Sequence, residues 1–176
     1  NHYSKANEHW YGALNNTPGR VGPAIERPPA TADAFFRQWL ERDGYPFWSY
    51  WENVRTWWQL RDQPNVKFIH FNDMKRDLPG SIRAIGEFLD IRPGAQSFQK
   101  IVEHCGFDYM KANAETVTPL GGVLWEGGAQ TFINKGTNGR WKDVLTPAEV
   151  RAYEQRALRE LGEDCAAWLV DGGRLD

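Results

Sequence analysis

One short apolar segment constrains the fold of this chain more than any other. Residues 66–71, Val-Lys-Phe-Ile-His-Phe, are rich in β-branched and aromatic side chains and follow a Gln-Pro-Asn turn at residues 63–65. Such a nearly continuous run predicts a buried strand of a parallel sheet. A single parallel strand leaves its backbone N–H and C=O groups without partners. The segment therefore requires a sheet. Because the sequence offers few other strands, we expect the chain to be part of a larger fold.

Helical patterns surround this strand, so the predicted fold class is α/β. The last helix begins after Thr146, with Pro147 at its first position and Glu149 completing a capping box. Two stretches rich in Gly, Pro or Asn are predicted as loops. The predicted helices cover residues 1–14, 32–43, 48–61, 80–90, 95–104, 107–112 and 147 to about 169, and the predicted loops cover residues 15–31 and 114–131.

Apolar side chains at helical spacing mark the predicted core. Trp51, Val54, Trp57 and Trp58 recur at three-to-four spacing in the third predicted helix, so most of them are predicted to be core. The Trp57-Trp58 pair is interpreted as core or as the wall of a pocket. Phe88 and Leu89 are predicted to face inward from the next helix along the chain. The nine tryptophans indicate a large aromatic core or a cleft that receives flat or apolar groups.

The composition of the chain limits which binding partners and which cellular compartment we predict for it. The 176 residues fit a single domain, and the net charge of −2 provides no global field to recruit nucleic acid or an anionic membrane. No run is long enough to span a bilayer, and no signal peptide opens the sequence. Cys105 and Cys165 lie far apart without metal-ligand spacing, so we predict a cytoplasmic protein without a metal site. The chain begins with Asn1, from which we expect that a preceding segment is missing.

A glycine loop is formed by residues 132–141, Phe-Ile-Asn-Lys-Gly-Thr-Asn-Gly-Arg-Trp. Glycine permits positive φ angles and lets the backbone approach a ligand closely. Successive N–H groups in such a loop form a concave anion site, to which a lysine adds a positive charge. One interpretation is therefore a loop that closes over a phosphate. The other is a glycine-rich surface turn with a solvated lysine.

Three segments of the chain, taken together, match one family pattern. Residues 67–77, Lys-Phe-Ile-His-Phe-Asn-Asp-Met-Lys-Arg-Asp, resemble the strand-turn Leu-Phe-Tyr-Glu-Asp-Met-Lys of cytosolic-type sulfotransferases. Residues 48–62, with their Trp-Trp pair, resemble the helix that precedes it, and residues 132–142 resemble the signature Arg-Lys-Gly-x-x-Gly-Asp-Trp-Lys. The order and spacing of the segments also match. The resemblance covers residues 48–170, and the first 47 residues look like the bacterial branch of the family.

The resemblance implies a fold and a chemistry. The family has the three-layer fold of P-loop nucleotide kinases, with a parallel sheet. This chain is then its helix-rich C-terminal portion, as one sulfotransferase domain over residues 1–176, with the N-terminal part missing. Family members transfer the sulfuryl group of 3′-phosphoadenosine 5′-phosphosulfate (PAPS) to a hydroxyl or amine, leaving 3′-phosphoadenosine 5′-phosphate (PAP).

The implied function is therefore a PAPS-dependent sulfotransferase that acts on a small acceptor. The aromatic content indicates that this acceptor is apolar or aromatic. An alternative is a non-catalytic remnant that binds a nucleotide or a protein partner. A nucleotide-kinase relative is a weaker third interpretation, because the Lys-Gly loop followed by Gly-x-Trp is a sulfotransferase feature.

Within the glycine loop, the resemblance assigns four residues to the cofactor. Lys135 and Gly136 match the Lys-Gly of the signature and are implied to contact the 3′-phosphate, Lys135 by charge or backbone and Gly136 through its backbone. Asn134 stands where the family usually has Arg, so a bidentate phosphate contact is lost or replaced by a weaker amide donor. Ile133 stands where a hydrophobic residue covers the adenine.

Three further residues match cofactor positions or their neighbours. Phe71 falls where the family often has a Tyr beside the adenine, and stacking needs only the ring. The alternative is a core aromatic at the strand end. Residues 103–107, Glu-His-Cys-Gly-Phe, resemble the family's His-Thr-Ser-Phe turn at the adenine, which implies contacts from Phe107 and from the backbone of Cys105. Asp73 is interpreted as fixing the turn after the strand.

No catalytic residue is assigned in this chain. In the family, the general base and the lysine-bearing loop for the 5′-phosphosulfate lie upstream. The family's dimer segment, Lys-x-x-x-Thr-Val-x-x-x-Glu, is matched only by Lys142 and Thr146, so that dimer is not predicted. The loops at residues 15–31 and 114–131 are predicted to cap the acceptor site. The candidate lining residues are Trp10, Tyr11, Trp48 and Trp125.

Overall fold

The computed structural model describes residues 5–45, 48–173 and 175 of the chain. Within these ranges the regular secondary structure is helical, and most predicted helices are confirmed. In chain order the helices are α1 (Glu8–Asn15), α2 (Ala32–Glu41), α3 (Tyr50–Trp58), α4 (Phe71–Arg76), α5 (Leu78–Phe88), α6 (Ala95–Cys105), α7 (Phe107–Ala112), α8 (Ala114–Val117), α9 (Ala129–Phe132), α10 (Pro147–Leu161) and α11 (Glu163–Asp171).

The described residues form two compact units. Unit 1 contains residues 5–45 and 107–146, with helices α1, α2, α7, α8 and α9. Unit 2 contains residues 48–106, 147–173 and 175, with helices α3 to α6, α10 and α11. The glycine loop therefore belongs to unit 1, whereas the predicted strand belongs to unit 2.

The strand predicted at residues 66–71 is not confirmed. Residues 66–70 have neither a helix nor strand pairing, and Phe71 begins α4. His70 caps this helix, because its Nδ1 accepts a hydrogen bond from the N–H of Asn72 at 3.1 Å. The last residue of the predicted strand is therefore the first residue of a helix.

The parallel sheet of the predicted α/β fold class is likewise not confirmed. Within the described ranges, strand pairing is limited to an isolated antiparallel bridge between Ala6 and Trp125 in unit 1. A strand forms only where a neighbour pairs with its backbone N–H and C=O groups. Because no such neighbour pairs with residues 66–70 in the described part of the chain, their apolar pattern alone does not produce a strand.

Two predictions about helices are corrected by the structure. The segment 114–131, predicted as a loop, contains α8, α9 and a 3-10 turn at Pro119–Gly122. These short elements pack on one another, so tertiary contacts stabilise helices that are too short to form alone. The single helix predicted from Pro147 ends at Leu161, because Gly162 adopts a φ of +78° and starts α11 in a new direction.

The core of unit 2 is built around Trp51 on α3. Its side chain is 1% exposed, and its ring centroid lies 5.7 Å from that of Tyr153 on α10. Cys165 on α11 is also fully buried, and this burial raises the pKa of its thiol. Burial, reinforced by a hydrogen bond with Tyr153, raises the pKa of Tyr50 far above its ordinary value. These groups are therefore neutral at physiological pH and serve as packing residues.

Three other residues predicted to face the core are exposed. Trp57 is 53% exposed, and Phe88 and Leu89 are exposed as well. Each residue of an α-helix turns by about 100°, so Trp57 points about 120° away from Trp51, whereas Trp58 returns to within about 20° of it. Trp58 is accordingly half-buried. The Trp-Trp pair therefore places one indole inward and the other outward.

Hydrogen bonds join the start of α4 to the last turn of α11 and to the residues after it. The Nε2 atom of His70 lies 3.1 Å from the carbonyl oxygen of Leu169. The Oδ2 atom of Asp73 accepts a hydrogen bond from the N–H of Gly173 at 2.9 Å. The prediction that Asp73 fixes the turn after the strand needs a correction, since its carboxylate ties the C-terminal segment to α4.

Acidification is expected to weaken this connection. The hydrogen bond from Gly173, together with the Arg76 guanidinium, lowers the pKa of the Asp73 carboxyl below its ordinary value. Such a carboxyl stabilises the folded state above its unfolded pKa of about 3.9, and the contribution is lost as the pH falls through the folded pKa. The free energy of unfolding in urea should therefore drop below about pH 4, and it should drop less in Asp73→Asn.

A matched control for this experiment is Asp143→Asn, which changes an exposed aspartate in unit 1. This variant should retain the acid sensitivity of the wild type. The same loss of stability in wild type and Asp73→Asn would show that Asp73 does not carry the effect.

Candidate functional site

The glycine loop runs from the end of α9 to a 3-10 turn at Arg140–Asp143. The N–H of Asn134 donates to the carbonyl oxygen of Phe132 at 3.0 Å, which turns the chain immediately after the helix. Gly136 and Gly139 then adopt φ angles of +62° and +79°, in the left-handed region that favours glycine. The sharp course of the loop therefore depends on both glycines.

The ring of Phe107 lies directly against the backbone of Gly136. A Cβ atom added to Gly136 would lie 2.6 Å from Cδ2 and 2.7 Å from Cε2 of that ring. These distances are far shorter than any van der Waals contact between carbons. Two residues that the sequence assigns to the cofactor site, from α7 and from the glycine loop, are thus brought together.

A lysine that the sequence analysis missed anchors the start of the loop. Lys111 on α7 donates from Nζ to the carbonyl oxygen of Gln130 at 2.8 Å and to that of Ile133. In return, Nε2 of Gln130 donates to the carbonyl oxygen of Lys111 at 3.2 Å. The available signal was the position of Lys111, four residues after Phe107 and so on the same face of α7. Lys111 therefore positions the loop through hydrogen bonds from its ammonium group.

The glycine loop presents a cation, an amide and an aromatic ring edge to solvent. Lys135 is exposed and forms no ion pair with any residue in the described ranges. Asn134 is also exposed, and the ring of Phe107 is 37% exposed. Ile133 is half-buried. An anion that docks here would meet the ammonium group without displacing an existing carboxylate.

The two remaining predicted cofactor residues lie in unit 2. Phe71 is exposed at the first position of α4, and Cys105 is an exposed free thiol at the end of α6. Both are accessible to a ligand from within their own unit. Their role in binding the cofactor stays a prediction.

The predicted acceptor-lining residues differ in their surroundings. In unit 1, Tyr11 is buried and packs edge-to-face on Trp10 at 4.9 Å between ring centroids. Trp125 packs on Phe132 at 4.5 Å. Trp48, in unit 2, is exposed. Their role in binding an acceptor stays a prediction.

Metal clusters and membrane-spanning helices are not among the features of the described residues. Within residues 5–45, 48–173 and 175, no group of His, Cys, Asp and Glu side chains is arranged to hold a metal ion. None of the helices in these ranges combines the length and apolar character that crossing a membrane requires. The glycine loop with Phe107 is thus the arrangement that carries the functional argument.

Comparison with known families decides what kind of protein this is. Residues 5–164 match the family described as "Sulfotransferase domain". The chain belongs to the sulfotransferase family. The match covers α1 and the glycine loop and extends into α11. It therefore includes all seven residues that the sequence analysis assigns to the cofactor site, which are Phe71, Cys105, Phe107, Ile133, Asn134, Lys135 and Gly136.

Individual sulfotransferases are similar to this family member over most of its length. Mouse sulfotransferase 2B1 is 30% identical over 129 residues, which are 73% of this chain and 38% of the relative. Rat sulfotransferase 1A1 is 28% identical over 138 residues, which are 78% of this chain and 47% of the relative. The chain thus spans about two fifths of the length of the curated relatives it matches. These relatives are mammalian and give no support to a bacterial branch.

The fold is similar to that of a solved sulfotransferase. The crystal structure of mouse sulfotransferase SULT7A1 complexed with PAP superposes with a TM-score of 0.67 at 25% sequence identity. The match covers 93% of this chain and 55% of that chain. The helical arrangement described above is therefore that of a sulfotransferase, although its parallel sheet is not confirmed within the described ranges.

Proposed function

We propose that this chain is the C-terminal portion of a PAPS-dependent sulfotransferase and that residues 1–176 belong to one sulfotransferase domain. The observation that carries the proposal is the contact between Gly136 and the Phe107 ring, next to the exposed Lys135. A phosphate needs a positive charge and close backbone, and an adenine needs an apolar face. Lys135 and Gly136 offer the charge and the close backbone, and Ile133 and Phe107 offer the apolar face.

In this proposal, the residues of the loop divide the cofactor between them. The Lys135 ammonium and the Gly136 backbone hold the 3′-phosphate, and the Asn134 amide adds a weaker donor. Ile133 and Phe107 border the adenine with apolar surface. For the Phe71 ring and the Cys105 backbone, the cofactor contacts that the family resemblance implies are kept as part of the proposal. PAPS, when bound, supplies the activated sulfuryl group, and the chain's own contribution is to bind and orient it.

The proposed substrate and setting follow from the family and the composition. The acceptor is a small molecule with a hydroxyl or amine on an apolar or aromatic body, and nucleic acid and membranes are not proposed as partners. Family membership and the PAP complex of the similar mouse structure support the cofactor. The free thiols of Cys105 and Cys165 are consistent with the proposed cytoplasmic location.

Titration with PAP by isothermal calorimetry tests the proposed role of Lys135. Removing one charge-assisted phosphate contact from an exposed site should weaken binding by about tenfold in Lys135→Ala. The affinity for adenosine 5′-monophosphate, which lacks the 3′-phosphate, should change little. This difference between the two nucleotides assigns the effect to the 3′-phosphate.

A second lysine in the same region provides the control. Lys142 lies over the Trp141 ring, with Nζ at 5.5 Å from the ring centroid, and has no proposed contact with the cofactor. Lys142→Ala should bind PAP as the wild type does. Equal weakening by both variants would indicate a nonspecific electrostatic effect, and absence of PAP binding by the wild type would refute a nucleotide site in this chain.

A further inference from the structure

Unit 1 contains a cavity of about 520 Å³ that none of residues 133–136 lines. Its walls come from Tyr11 on α1, from the segment before α2 and from the first turns of α2. Arg140 and Trp141, the last two residues of the glycine loop and the first two of the 3-10 turn, complete it. The volume lies within the range of about 300–1,000 Å³ that is usual for small-molecule sites.

The charges around this cavity are of one sign. Lys5, Arg27 and Arg140 line it, and no Asp or Glu is among its lining residues. Lys5 and Arg140 form no ion pair with any residue in the described part of the chain. Arg27 pairs with Glu8, whose carboxylate is almost fully exposed. A surface pair of this kind contributes little, so an anion in the cavity can replace it.

The same cavity has aromatic walls that can receive a flat ring. The Arg27 guanidinium lies 4.6 Å from the centroid of the Tyr11 ring, and burial of Tyr11 fixes this pair in place. The indole of Trp141 also lines the cavity and is half-exposed. Phe35 on α2 is a further lining residue and is half-buried. Apolar rings next to cations suit a ligand that has an aromatic body and one negative group.

We propose that this cavity, which shares Tyr11 and residues 27–31 with the predicted acceptor site, binds a small aromatic anion through Lys5, Arg27 and Arg140. The anionic group is a carboxylate, sulfonate or sulfate, and the aromatic body packs against Tyr11 and Trp141. Because the net charge is −2, the chain as a whole does not attract anions. The attraction of an anion is therefore a local property of the cations in this cavity. The proposal does not depend on the PAPS site, because the cavity and residues 133–136 share no lining residue.

Calorimetric titration with 1-naphthoate tests this site on the 176-residue chain. The neutral amide of the same shape, 1-naphthamide, should bind at least about tenfold more weakly, because it cannot pair with the cations. Inorganic sulfate should also bind more weakly, because it has no aromatic body. Arg140→Gln and Lys5→Gln should each weaken naphthoate binding by about three- to tenfold. Circular dichroism spectra unchanged from wild type would show that both variants are folded.

The control is Lys142→Gln, which removes a cation near Trp141 that does not line the cavity. It should leave the naphthoate affinity within about twofold of wild type. Equal binding of naphthoate and naphthamide, or unchanged binding by Arg140→Gln, would overturn the proposal. So would full displacement of naphthoate by PAP, because the anion would then belong to the nucleotide site. A chain that binds naphthoate but not PAP would support this site while refuting the proposed function.

Discussion

Replacement of Gly136 by alanine is expected to disrupt the glycine loop and abolish measurable PAP binding. A φ of +62° places an alanine in the left-handed region, which costs about 1–2 kcal/mol. The added methyl group also overlaps the Phe107 ring at 2.6 Å, and overpacking of this kind costs about 1–3 kcal/mol. The loop conformation should therefore lose about 2–5 kcal/mol in total.

Gly139→Ala separates the two causes of this loss. Its φ of +79° imposes the same backbone strain, but the nearest atoms to an added Cβ are carbons of the Lys142 side chain at 4.0 Å. Gly139→Ala should therefore weaken PAP binding only by the strain of about 1–2 kcal/mol, which is about a tenfold effect. The contact with Phe107 accounts for the remainder of the Gly136→Ala loss.

A double variant checks the steric part directly. In a Phe107→Ala background the methyl group of Ala at position 136 meets no ring, so the second substitution should cost less than it does in wild type. An identical cost of Gly136→Ala in both backgrounds would show that Phe107 does not lie against Gly136 in solution. Calorimetry with PAP measures the effect on the binding loop, and urea unfolding measures the effect on the stability of the whole unit.

Trp51→Ala is the substitution expected to have the largest effect on stability. Trp51 is fully buried on α3, where it contacts Tyr153 on α10, and α3 and α10 pack together in unit 2. Removing a buried tryptophan leaves a cavity and typically costs about 3–5 kcal/mol. Because native domains are stabilised by only about 5–15 kcal/mol, unit 2 should unfold at a much lower urea concentration.

The same helix supplies the matched control. Trp57 is exposed, so Trp57→Ala removes an indole of the same size with little change in buried contacts. Its effect on the free energy of unfolding should stay within about 0.5 kcal/mol. Comparable losses in Trp51→Ala and Trp57→Ala would contradict the orientation of α3. The comparison is made by urea unfolding monitored by circular dichroism, which does not depend on tryptophan emission.

The strand predicted at residues 66–71 illustrates where sequence reasoning reaches its limit. Its apolar and aromatic run is a correct observation about composition, but a strand also requires hydrogen-bonding neighbours that are remote in sequence. In the described ranges, residues 66–70 have no strand partner, and Phe71 starts α4. In this protein the apolar run is therefore an irregular segment that ends at the N-terminal cap of α4.

The candidate site divides in a similar way. The glycine loop and its lysine follow directly from the order of residues, and the family resemblance drawn from them is confirmed by the match to the sulfotransferase domain. The contact of Phe107 with Gly136 joins residues 29 positions apart, as their numbers show. The role of Lys111 in holding the carbonyl oxygen of Ile133 depends on the same approach of α7 to α9. The spacing of Lys111 and Phe107 places them on one face of α7, but no local sequence signal names the partner that either residue meets.

Local sequence patterns were sufficient to predict helices α2, α3, α5, α6 and α7, the glycine loop and the family of this protein. These features depend on interactions within a few residues, such as helical periodicity, the capping of α10 and the positive φ angles that glycine allows. The burial of Trp51, the exposure of Trp57 and the contact of the Phe107 ring with Gly136 became known from the three-dimensional packing. Burial and contact are set by the packing of segments distant in the chain, and a local pattern carries no information about which partner it will meet.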